Sequence, residues 1–345
     1  MTIHQPVDEH SLEELLSRPD QATVDALAAL GGDIIVLGAG GKMGPTLSIM
    51  ARRALDTAGG SNTQRKVMAV SRFGKGNVAA QLQRAGVEVF RADLSDAAQT
   101  RTLPVAENVI WMAGQKFGTS GDPVTTWTHN VVASTYAAER FAGARIVCFS
   151  TGNVYGASAV ASGGSVESDI LRPEGEYAAS CIGRERVFES ISRRTNSPLL
   201  LFRLFYACDL RYGVVTDIAL RILNGESISL ATPSANIIWQ GDANRLALRA
   251  LTVARLPAVA LNVTGPCVPI REIADRLAAR MGKKALFTGS EGSEALIANT
   301  SVLNETLPYS ALPLDTLLDW TVSWVQSGRP LLNRPTKYEV RDGRF

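Results

Sequence analysis

From residue 33 onward, short apolar runs alternate with longer amphipathic segments. The apolar runs have the length of buried strands, and the segments between them have the pattern of helices. Strands that alternate with helices pair in parallel through right-handed crossovers. The pattern therefore predicts an α/β protein built on a doubly wound parallel sheet. The predicted strands cover residues 34–37, 67–70, 87–90, 109–112, 145–150 and 199–204, and the predicted helices cover residues 43–58, 77–85, 124–142 and 174–194.

Composition and charge narrow the classes of partner. The chain has 345 residues, is 46% apolar and 20% charged, and has a net charge of +2. This composition is typical of a globular protein. The net charge gives no sign of a basic surface that would bind nucleic acid, so we expect a small-molecule partner. The N-terminus lacks a signal pattern and no apolar run would span a membrane, which predicts a cytoplasmic protein. The four cysteines are far apart in the sequence, and the three histidines do not cluster with them, so we expect reduced thiols and no metal site.

A glycine-rich turn follows the first predicted strand, with the spacing Gly-x-x-Gly-x-x-Gly. In such a loop the first glycine allows the turn, and the second lets backbone N–H groups approach a pyrophosphate. The third lets the helix pack closely against the strand. The helix N-terminus adds unpaired N–H groups and the positive end of the helix dipole. The turn predicts dinucleotide binding by Gly38, Gly41, Lys42, Met43 and Gly44.

The end of the second predicted strand indicates which dinucleotide is bound. An NAD site carries a carboxylate there, which accepts hydrogen bonds from the ribose hydroxyls. This chain has Ser71 and Arg72 instead, which suit a 2′-phosphate. The alternative is that Arg72 is an ordinary solvated arginine. We expect NADP(H) to be preferred over NAD(H).

Two further turns at the same edge of the predicted sheet complete the expected cofactor site. Asp93 and Leu94 follow the third strand, where a carboxylate would hydrogen-bond the adenine amino group. The alternative is that Asp93 caps the next helix. Ala113 and Gly114 follow the fourth strand and are small enough to let a cofactor lie across the sheet edge.

The same pattern divides the chain into four parts. Residues 1–30 are predicted as a helical N-terminal extension, in which Ser11 caps a helix from Leu12 and Glu14 completes the capping box. Residues 31–205 are predicted as the NAD(P)-binding domain. Residues 206–328 are predicted as a smaller mixed region that binds substrate, and residues 329–345 as a C-terminal tail.

Ordered motifs along the chain resemble those of a known family. The glycine turn is followed by WMAG at 111–114, STGNVYG at 150–156 and YAAS at 177–180. Together they resemble the extended short-chain dehydrogenase/reductases, the NAD-dependent epimerase/dehydratase family, over roughly residues 33–325. The resemblance implies a Rossmann fold, an NAD(P) cofactor, a sugar-like substrate, and a homodimer formed by the helices at 124–142 and 174–194.

The resemblance also implies a catalytic set. Thr151 would hydrogen-bond the substrate oxygen, and Tyr177 would act as general acid and base on it. The family's lysine, four residues after the tyrosine, binds the nicotinamide ribose and lowers the tyrosine pKa. This chain has Cys181 at that position. Loss of the cation would raise the tyrosine pKa by roughly 1–3 units and slow proton transfer by about 10- to 1000-fold.

Two cations are candidates to replace the missing lysine. Arg184 shares a helix face with the tyrosine, and its side chain would lean toward the helix N-terminus. Lys116 lies in a loop similar to the one in which sugar-nucleotide epimerases place a lysine near cofactor and substrate. The alternatives are that Arg184 pairs with Glu185 or Glu189 at the surface and that Lys116 is solvated. Cys181 itself would be either a small packing residue or a reactive thiol.

The expected reaction is oxidation or reduction at a hydroxyl or carbonyl of a sugar, sugar acid or lactone. No basic cluster suited to a nucleotide diphosphate is evident, which favours a smaller substrate. Asn153 follows the catalytic Thr where the family's dehydratases carry a carboxylate, so elimination of water is not expected. The alternatives are a sugar epimerase and a catalytically inactive NAD(P) sensor. The candidate substrate-binding residues, which would otherwise be core or surface residues, are Asn153, Tyr206, Arg211, Asn236 and Trp239.

Overall fold

A seven-stranded sheet forms the centre of the protein. The structure is a computed structural model that describes residues 4–74, 76–334, 336–340 and 342–344. Every pair of neighbouring strands in the sheet is parallel, which confirms the predicted fold class. The order reverses beside the first strand, and this is where ligands bind in open α/β sheets. Across the sheet the strands are Val259–Val263, Leu199–Leu204, Arg145–Thr151, Asn108–Trp111, Ile34–Leu37, Val67–Ser71 and Glu88–Arg91.

Helices cover both faces of the sheet because the strands are apolar on both sides. Successive residues of the first strand, Ile34–Leu37, are fully buried and face two different cores. One face carries Gln21–Ala29, Gly44–Ala58 and Gln240–Arg249, and the other carries Ala133–Arg140 and Gly175–Thr195. The remaining helices of this part are Val78–Arg84, Ala97–Arg101 and the 3₁₀ turns Gly60–Gln64, Gly152–Val154, Val160–Ser162 and Ala250–Thr252.

The six predicted strands lie within one residue of the observed ones, but one strand and one helix differ from the prediction. The seventh strand, Val259–Val263, comes from the region after residue 206 and pairs with Leu199–Leu204. The helix predicted over 124–142 is interrupted. It consists of Pro123–Trp127, a π-helical turn at Thr128–Val132 and Ala133–Arg140. A π turn inside an α-helix widens the helix by one residue and often marks a functional site.

A second core joins the N-terminal helix to the C-terminal half of the chain. Helix Glu9–Leu16 begins at Asp8, whose carboxylate accepts a hydrogen bond from Ser11 N at 2.7 Å. Ser11 is therefore the third residue of the helix rather than its cap. Glu14 forms an ion pair with Arg53 rather than the predicted capping box. The other helices of this core are Val214–Asn224, Ile270–Met281 and Leu314–Gln326, with Ser301–Thr306 nearer the sheet.

Four short strand pairs surround this second core. They join Ala207–Cys208 with Ile238–Trp239, Ser227–Ser229 with Leu286–Thr288, Ser234–Asn236 with Cys267–Pro269, and Ser158–Ala159 with Glu294–Ala295. The last pair ties the segment before the Gly175–Thr195 helix to the C-terminal half. The two halves of the chain are thus joined beside that helix.

The described parts of the C-terminal tail, within 329–334, 336–340 and 342–344, contact helix Val214–Asn224 and the start of helix Gly175–Thr195. Thr336 donates its backbone N–H and its hydroxyl to the Asp217 carboxylate at 2.8 and 2.5 Å. Glu339 receives two hydrogen bonds of 2.7 Å from Arg221. Gly343 lies so close to Gly175 that a Cβ on Gly175 would be 2.6 Å from its carbonyl oxygen. The tail is therefore fixed to the start of the helix that carries Tyr177.

Three further findings concern membrane spans, metal sites and cysteines in the described part of the chain. No helix there is long and apolar enough to cross a membrane. No group of three or more His, Cys, Asp and Glu residues in the described ranges is arranged to hold a metal ion. Cys148, Cys181 and Cys208 are buried free thiols, and Cys267 is an exposed one.

Candidate active site

Two connected cavities lie at the carboxyl ends of the sheet strands. The first, here called the glycine-loop cavity, has a volume of about 470 Å³ and contains Gly38, Gly41 and Arg72 in its wall. The second, the tyrosine cavity, has about 250 Å³ and is lined by Thr151 and Tyr177. Residues 112–116, which follow the fourth strand, line both cavities and form the wall between them.

The glycine loop has the geometry that a dinucleotide requires. Gly38 has a φ of +92°, and a Cβ there would lie 2.5 Å from Ala113 N. A Cβ on Gly44 would lie 2.6 Å from Ala39, so helix and strand pack in contact. A Cβ on Gly41 would meet only the Gly38 carbonyl oxygen, at 3.5 Å, so there is room beside this residue. The loop therefore offers backbone N–H groups at a helix N-terminus to a phosphate, and its residues fit a dinucleotide.

The far wall of the glycine-loop cavity carries Ser71, Arg72, Asp93 and Leu94. Ser71 lies beneath the loop, where a Cβ on Gly40 would be 2.6 Å from its hydroxyl. Arg72 is exposed, with a guanidinium nitrogen 3.8 Å from an Asp93 carboxylate oxygen. The other oxygen of Asp93 accepts hydrogen bonds from Ser95 N and Oγ at 2.9 and 2.6 Å. Asp96 rather than Asp93 caps the next helix.

Thr151 and Tyr177 meet at the floor of the tyrosine cavity. Thr151 ends the fifth strand, and its Oγ1 accepts a 2.9 Å hydrogen bond from Asn153 Nδ2. Tyr177 lies in the first turn of Gly175–Thr195. Burial raises the pKa of Tyr177, and the nearby Arg184 and Thr151 oppose that rise. The Thr151 and Tyr177 side chains thus lie next to each other beside open space.

Arg184 lies behind this pair, in the interior of the protein. Its side chain is 5% exposed, with Nη2 3.1 Å from Cys181 Sγ and Nη1 donating to Ala113 O at 3.2 Å. The predicted alternative, a surface ion pair of Arg184, is wrong because both candidate partners are engaged elsewhere. Glu185 pairs with Arg203, and Glu189 pairs with Arg186.

Cys181 lies between Tyr177 and the guanidinium. Burial raises the pKa of the Cys181 thiol, although Arg184 counters part of the rise. A thiol held in its neutral form is a poor nucleophile. Cys181 belongs to a small apolar cluster against which Tyr177 packs. The small side chain therefore gives the long arginine room to approach the tyrosine from one turn further along the helix.

Two buried polar networks hold the tyrosine helix in place. Asn130, in the π-helical turn, receives a hydrogen bond from Gln115 N at 2.7 Å and donates to Ser180 Oγ at 2.9 Å. It thereby connects the loop between the cavities to the helix. Glu185 accepts hydrogen bonds from Ser150 at 2.6 Å and from Arg203 at 2.8 and 3.0 Å. These contacts fix the helix against the strand that carries Thr151.

Two lysines also line the tyrosine cavity. Lys116 lines both cavities and lies 3.4 Å from Thr336 O, and burial lowers its pKa to about 8. Lys42 belongs to the glycine loop, but its ammonium turns toward the tyrosine cavity. It donates to Ala207 O at 2.9 Å and lies 4.1 Å from the centre of the Tyr212 ring. Lys42 was expected on the cofactor side, and the structure places it on the other.

The remaining predicted residues separate into two groups. Asn153 and Tyr206 line the tyrosine cavity, Met43 lines it as well, and Ala113 and Gly114 line both cavities. The other three predicted substrate contacts do not reach either of these cavities. Arg211 is bound to Asp209 at 3.1 Å, Asn236 to the backbone at Ala298 and Gly265, and Trp239 to Trp320 in the second core.

Several cavity residues carry no signal in the sequence. Tyr212, Leu296 and Thr336 line the tyrosine cavity, and Arg334 lines the glycine-loop cavity. Each comes from a segment without a recognisable motif. Tertiary packing alone brings them to the site. The charged residues of the tail were the only sequence feature that pointed toward a role for it.

Comparisons with known proteins agree with this geometry. No protein-family model matches the chain, and no curated protein matches it in sequence. Solved structures do match, among them UDP-glucose 4-epimerase from Thermotoga maritima with UDP-glucose, at 19% identity and a TM-score of 0.65. That match covers 86% of this chain and 99% of the other. The chain has the fold of these epimerases.

A second epimerase supports the same conclusion. UDP-glucuronic acid 4-epimerase from Bacillus cereus, in complex with UDP-glucuronic acid and NAD, matches at 18% identity and a TM-score of 0.67. The match covers 86% of this chain and 99% of that epimerase. The fold expected from the ordered motifs is thus confirmed.

Proposed function

We propose that this protein is an NAD(P)-dependent oxidoreductase acting on a hydroxyl or carbonyl of a sugar-like small molecule. The position of Thr151 and Tyr177 side by side in the wall of the tyrosine cavity carries this proposal. Both hydroxyls can bind one substrate oxygen. In reduction, Tyr177 gives its proton to that oxygen while the carbonyl carbon receives a hydride, and oxidation reverses both transfers. A bound nicotinamide would supply or accept the hydride.

Arg184 is the proposed replacement for the family's lysine. Its guanidinium is buried, is bonded to Cys181 and the Ala113 carbonyl, and leaves Nε without a partner among the described residues. A buried cation close to a phenol stabilises the phenolate. Lys116 is the second candidate because it lines both cavities.

NADP(H) is the proposed cofactor, with NAD(H) as the alternative. The second strand ends in a hydroxyl at Ser71 rather than a carboxylate, and Arg72 stands beside it. The nearest carboxylate, that of Asp93, is already engaged by Ser95 and Arg72. The positive charge of Arg72 therefore faces the space in which a 2′-phosphate would be recognised.

Arg72→Ala is expected to weaken NADP⁺ binding by roughly tenfold, about 1.4 kcal/mol, because one charge-assisted contact is lost. NAD⁺ binding should not change. Ser71→Asp should favour NAD⁺ instead, since a carboxylate accepts ribose hydroxyl bonds and repels a phosphate. Calorimetric titration of both dinucleotides measures these effects, with the exposed Arg84→Ala as the matched control. If Arg72→Ala weakened the binding of NADP⁺ and NAD⁺ equally, the result would argue against a preference for NADP(H).

A small substrate fits the tyrosine cavity best. Its volume of about 250 Å³ lies below the usual range for ligand sites, which starts at roughly 300 Å³. Tyr206, Leu296 and Thr336 form the wall opposite the sheet. Residues 206–328 are therefore proposed to form the substrate side of the site, as expected for the smaller region.

The direct test is to incubate the purified chain with NADPH and a panel of aldoses, ketoses, sugar acids and lactones. We expect NADPH oxidation with at least one of them, followed by its absorbance. Isomerisation of a sugar by tightly bound, co-purifying cofactor, without net NADPH consumption, would identify the epimerase alternative. That alternative is favoured by the NAD-dependent epimerases among the structural matches.

A catalytically inactive NAD(P)-binding sensor is the alternative from another functional class. It is favoured by Cys181 in place of the lysine and by the burial that raises the pKa of Tyr177. NADPH binding without turnover of any panel compound, in both wild type and a Tyr177 variant, would support it.

The homodimer expected from the resemblance stays a prediction. It is supported by exposed apolar side chains on the Pro123–Trp127 helix and the π-helical turn. Val124 is 78% exposed and Val132 is 39% exposed. Such side chains are the kind that a helix-to-helix interface would cover.

A further inference from the structure

The tyrosine cavity is lined by cations without a compensating acid. Lys42, Lys116 and Arg184 all contribute to its wall. None of its described lining residues is an aspartate or a glutamate. Cationic walls that exclude water focus a positive potential into the cavity and favour an anionic ligand.

The contacts of these three cations differ and indicate which of them is available to a substrate. Arg184 is bonded to Cys181 and to the Ala113 carbonyl beside the tyrosine. Lys116 lies on the wall shared with the glycine-loop cavity, where dinucleotide phosphates would be close. Lys42 lines the tyrosine cavity and not the glycine-loop cavity. It is therefore the cation that is available to the substrate.

Lys42 forms no ion pair with a carboxylate among the described residues, although two carboxylates lie near it. Burial lowers the pKa of Lys42, and the nearby carboxylates Asp209 and Asp217 oppose that effect. Those carboxylates are engaged by Arg211 and Thr336 respectively. Among the described residues, the ammonium has one hydrogen-bond acceptor, Ala207 O, and the face of the Tyr212 ring. An ammonium has three donors, so two remain for a ligand.

We propose that the substrate carries a carboxylate bound by Lys42, and hence that it is a sugar acid. This inference rests on the proposed function, because it places the reacting oxygen at Thr151 and Tyr177. One ammonium balances one negative charge, which suits a carboxylate better than a phosphate dianion. The flat Tyr212 ring holds the ammonium from one side and leaves the cavity side open to the carboxylate. Lys42 is thus a specificity-determining residue that the cofactor loop carries but the cofactor does not use.

The test is equilibrium binding, which does not depend on turnover. The full chain, saturated with NADP⁺, is titrated by calorimetry with D-glucuronate and D-gluconate and with the neutral D-glucose and D-glucitol. We expect at least one acid to bind roughly tenfold or more tightly than its neutral counterpart, as a desolvated charge pair provides. Lys42→Met should remove this difference, Lys42→Arg should keep part of it, and NADP⁺ affinity should stay unchanged in both. The exposed Lys284→Met serves as the matched control.

Several outcomes would overturn the inference. They are equal binding of acids and neutral sugars, failure of both acids to bind, tighter binding of D-glucose 6-phosphate than of either acid, or acid preference that persists in Lys42→Met. If Lys42→Met fails to fold, as shown by its melting curve, loss of acid binding in a folded Lys42→Gln decides the question. A Lys42-dependent acid preference without any hydride transfer would refute the proposed function alone. Turnover of a neutral sugar in preference to both acids, with the same preference in Lys42→Met, would refute this inference alone.

Discussion

Tyr177→Phe is expected to lower the rate of hydride transfer by roughly 10²- to 10⁴-fold, the usual contribution of a positioned general acid or base. The ring and its packing are retained, and only the hydroxyl, which belongs to the same cavity wall as Thr151, is removed. NADP(H) affinity should therefore be unchanged. Stopped-flow measurement of NADPH oxidation with an active panel compound gives the rate, and fluorescence titration gives the affinity.

The pH dependence of wild type follows from the raised pKa of Tyr177. In reduction the phenol must be protonated, and below its raised pKa it is, so the tyrosine adds no pH dependence. In oxidation the phenolate is required, so the rate should rise by up to about tenfold per pH unit until that pKa is reached. Tyr177→Phe should lose this rise.

Tyr309→Phe is the matched control for this prediction. Its hydroxyl lies 3.2 Å from Thr264 O, outside both cavities, so its removal should leave the rate unchanged. Equal rates in Tyr177→Phe and wild type would show that Tyr177 is not the general acid or base.

Arg184→Leu is expected to slow oxidation by roughly 10- to 1000-fold, because loss of the cation raises the phenol pKa by about 1–3 units. The guanidinium lies 3.1 Å from Cys181 Sγ, and Cys181 contacts Tyr177. Cys181→Lys alone should also impair the enzyme, since its ammonium would be forced against the buried guanidinium. The double variant Cys181→Lys/Arg184→Leu should recover much of the lost rate, because it restores a single cation near the tyrosine.

The double-mutant cycle measures the coupling of the two positions. Arg186→Leu is the matched control on the same helix, because Arg186 is a surface residue paired with Glu189 at 2.6 Å. A wild-type rate in Arg184→Leu would show that another group, with Lys116 as the first candidate, supplies the charge. A large gain from Cys181→Lys alone would show instead that the site is a degraded one.

The central sheet could be predicted because its signals are local. Short apolar runs such as Ile34–Leu37 are strands in any arrangement that buries both faces, and a glycine turn ends the first of them. Thr151 and Tyr177 were paired through the resemblance to the family, because Tyr177 lies on a helix and strand order alone does not bring it to Thr151. The seventh strand, Val259–Val263, was missed because its role depends on the neighbour Leu199–Leu204 rather than on its own pattern.

The candidate substrate contacts were less predictable for a physical reason. A polar or aromatic residue near a motif can face the cavity or the core with the same local sequence. Trp239 is 4% exposed and packs on Trp320, and Arg211 is held by Asp209 and the N-terminal helix. Conversely, Thr336 reaches the cavity because the Asp217 carboxylate binds it, an interaction between segments far apart in the chain.

The sequence by itself determined the fold class, the glycine turn and the absence of a lysine at position 181, because each follows from short-range pattern and strand order; the pairing of Thr151 with Tyr177 came from the resemblance. Tertiary structure decided which way the long charged side chains turn. Arg184 turns inward to Cys181 rather than outward to a glutamate, and Lys42 turns away from the glycine-loop cavity toward Tyr212. A long side chain has many rotamers, and only packing against distant segments selects one of them. The candidate cations were therefore visible in the sequence, but their positions were not.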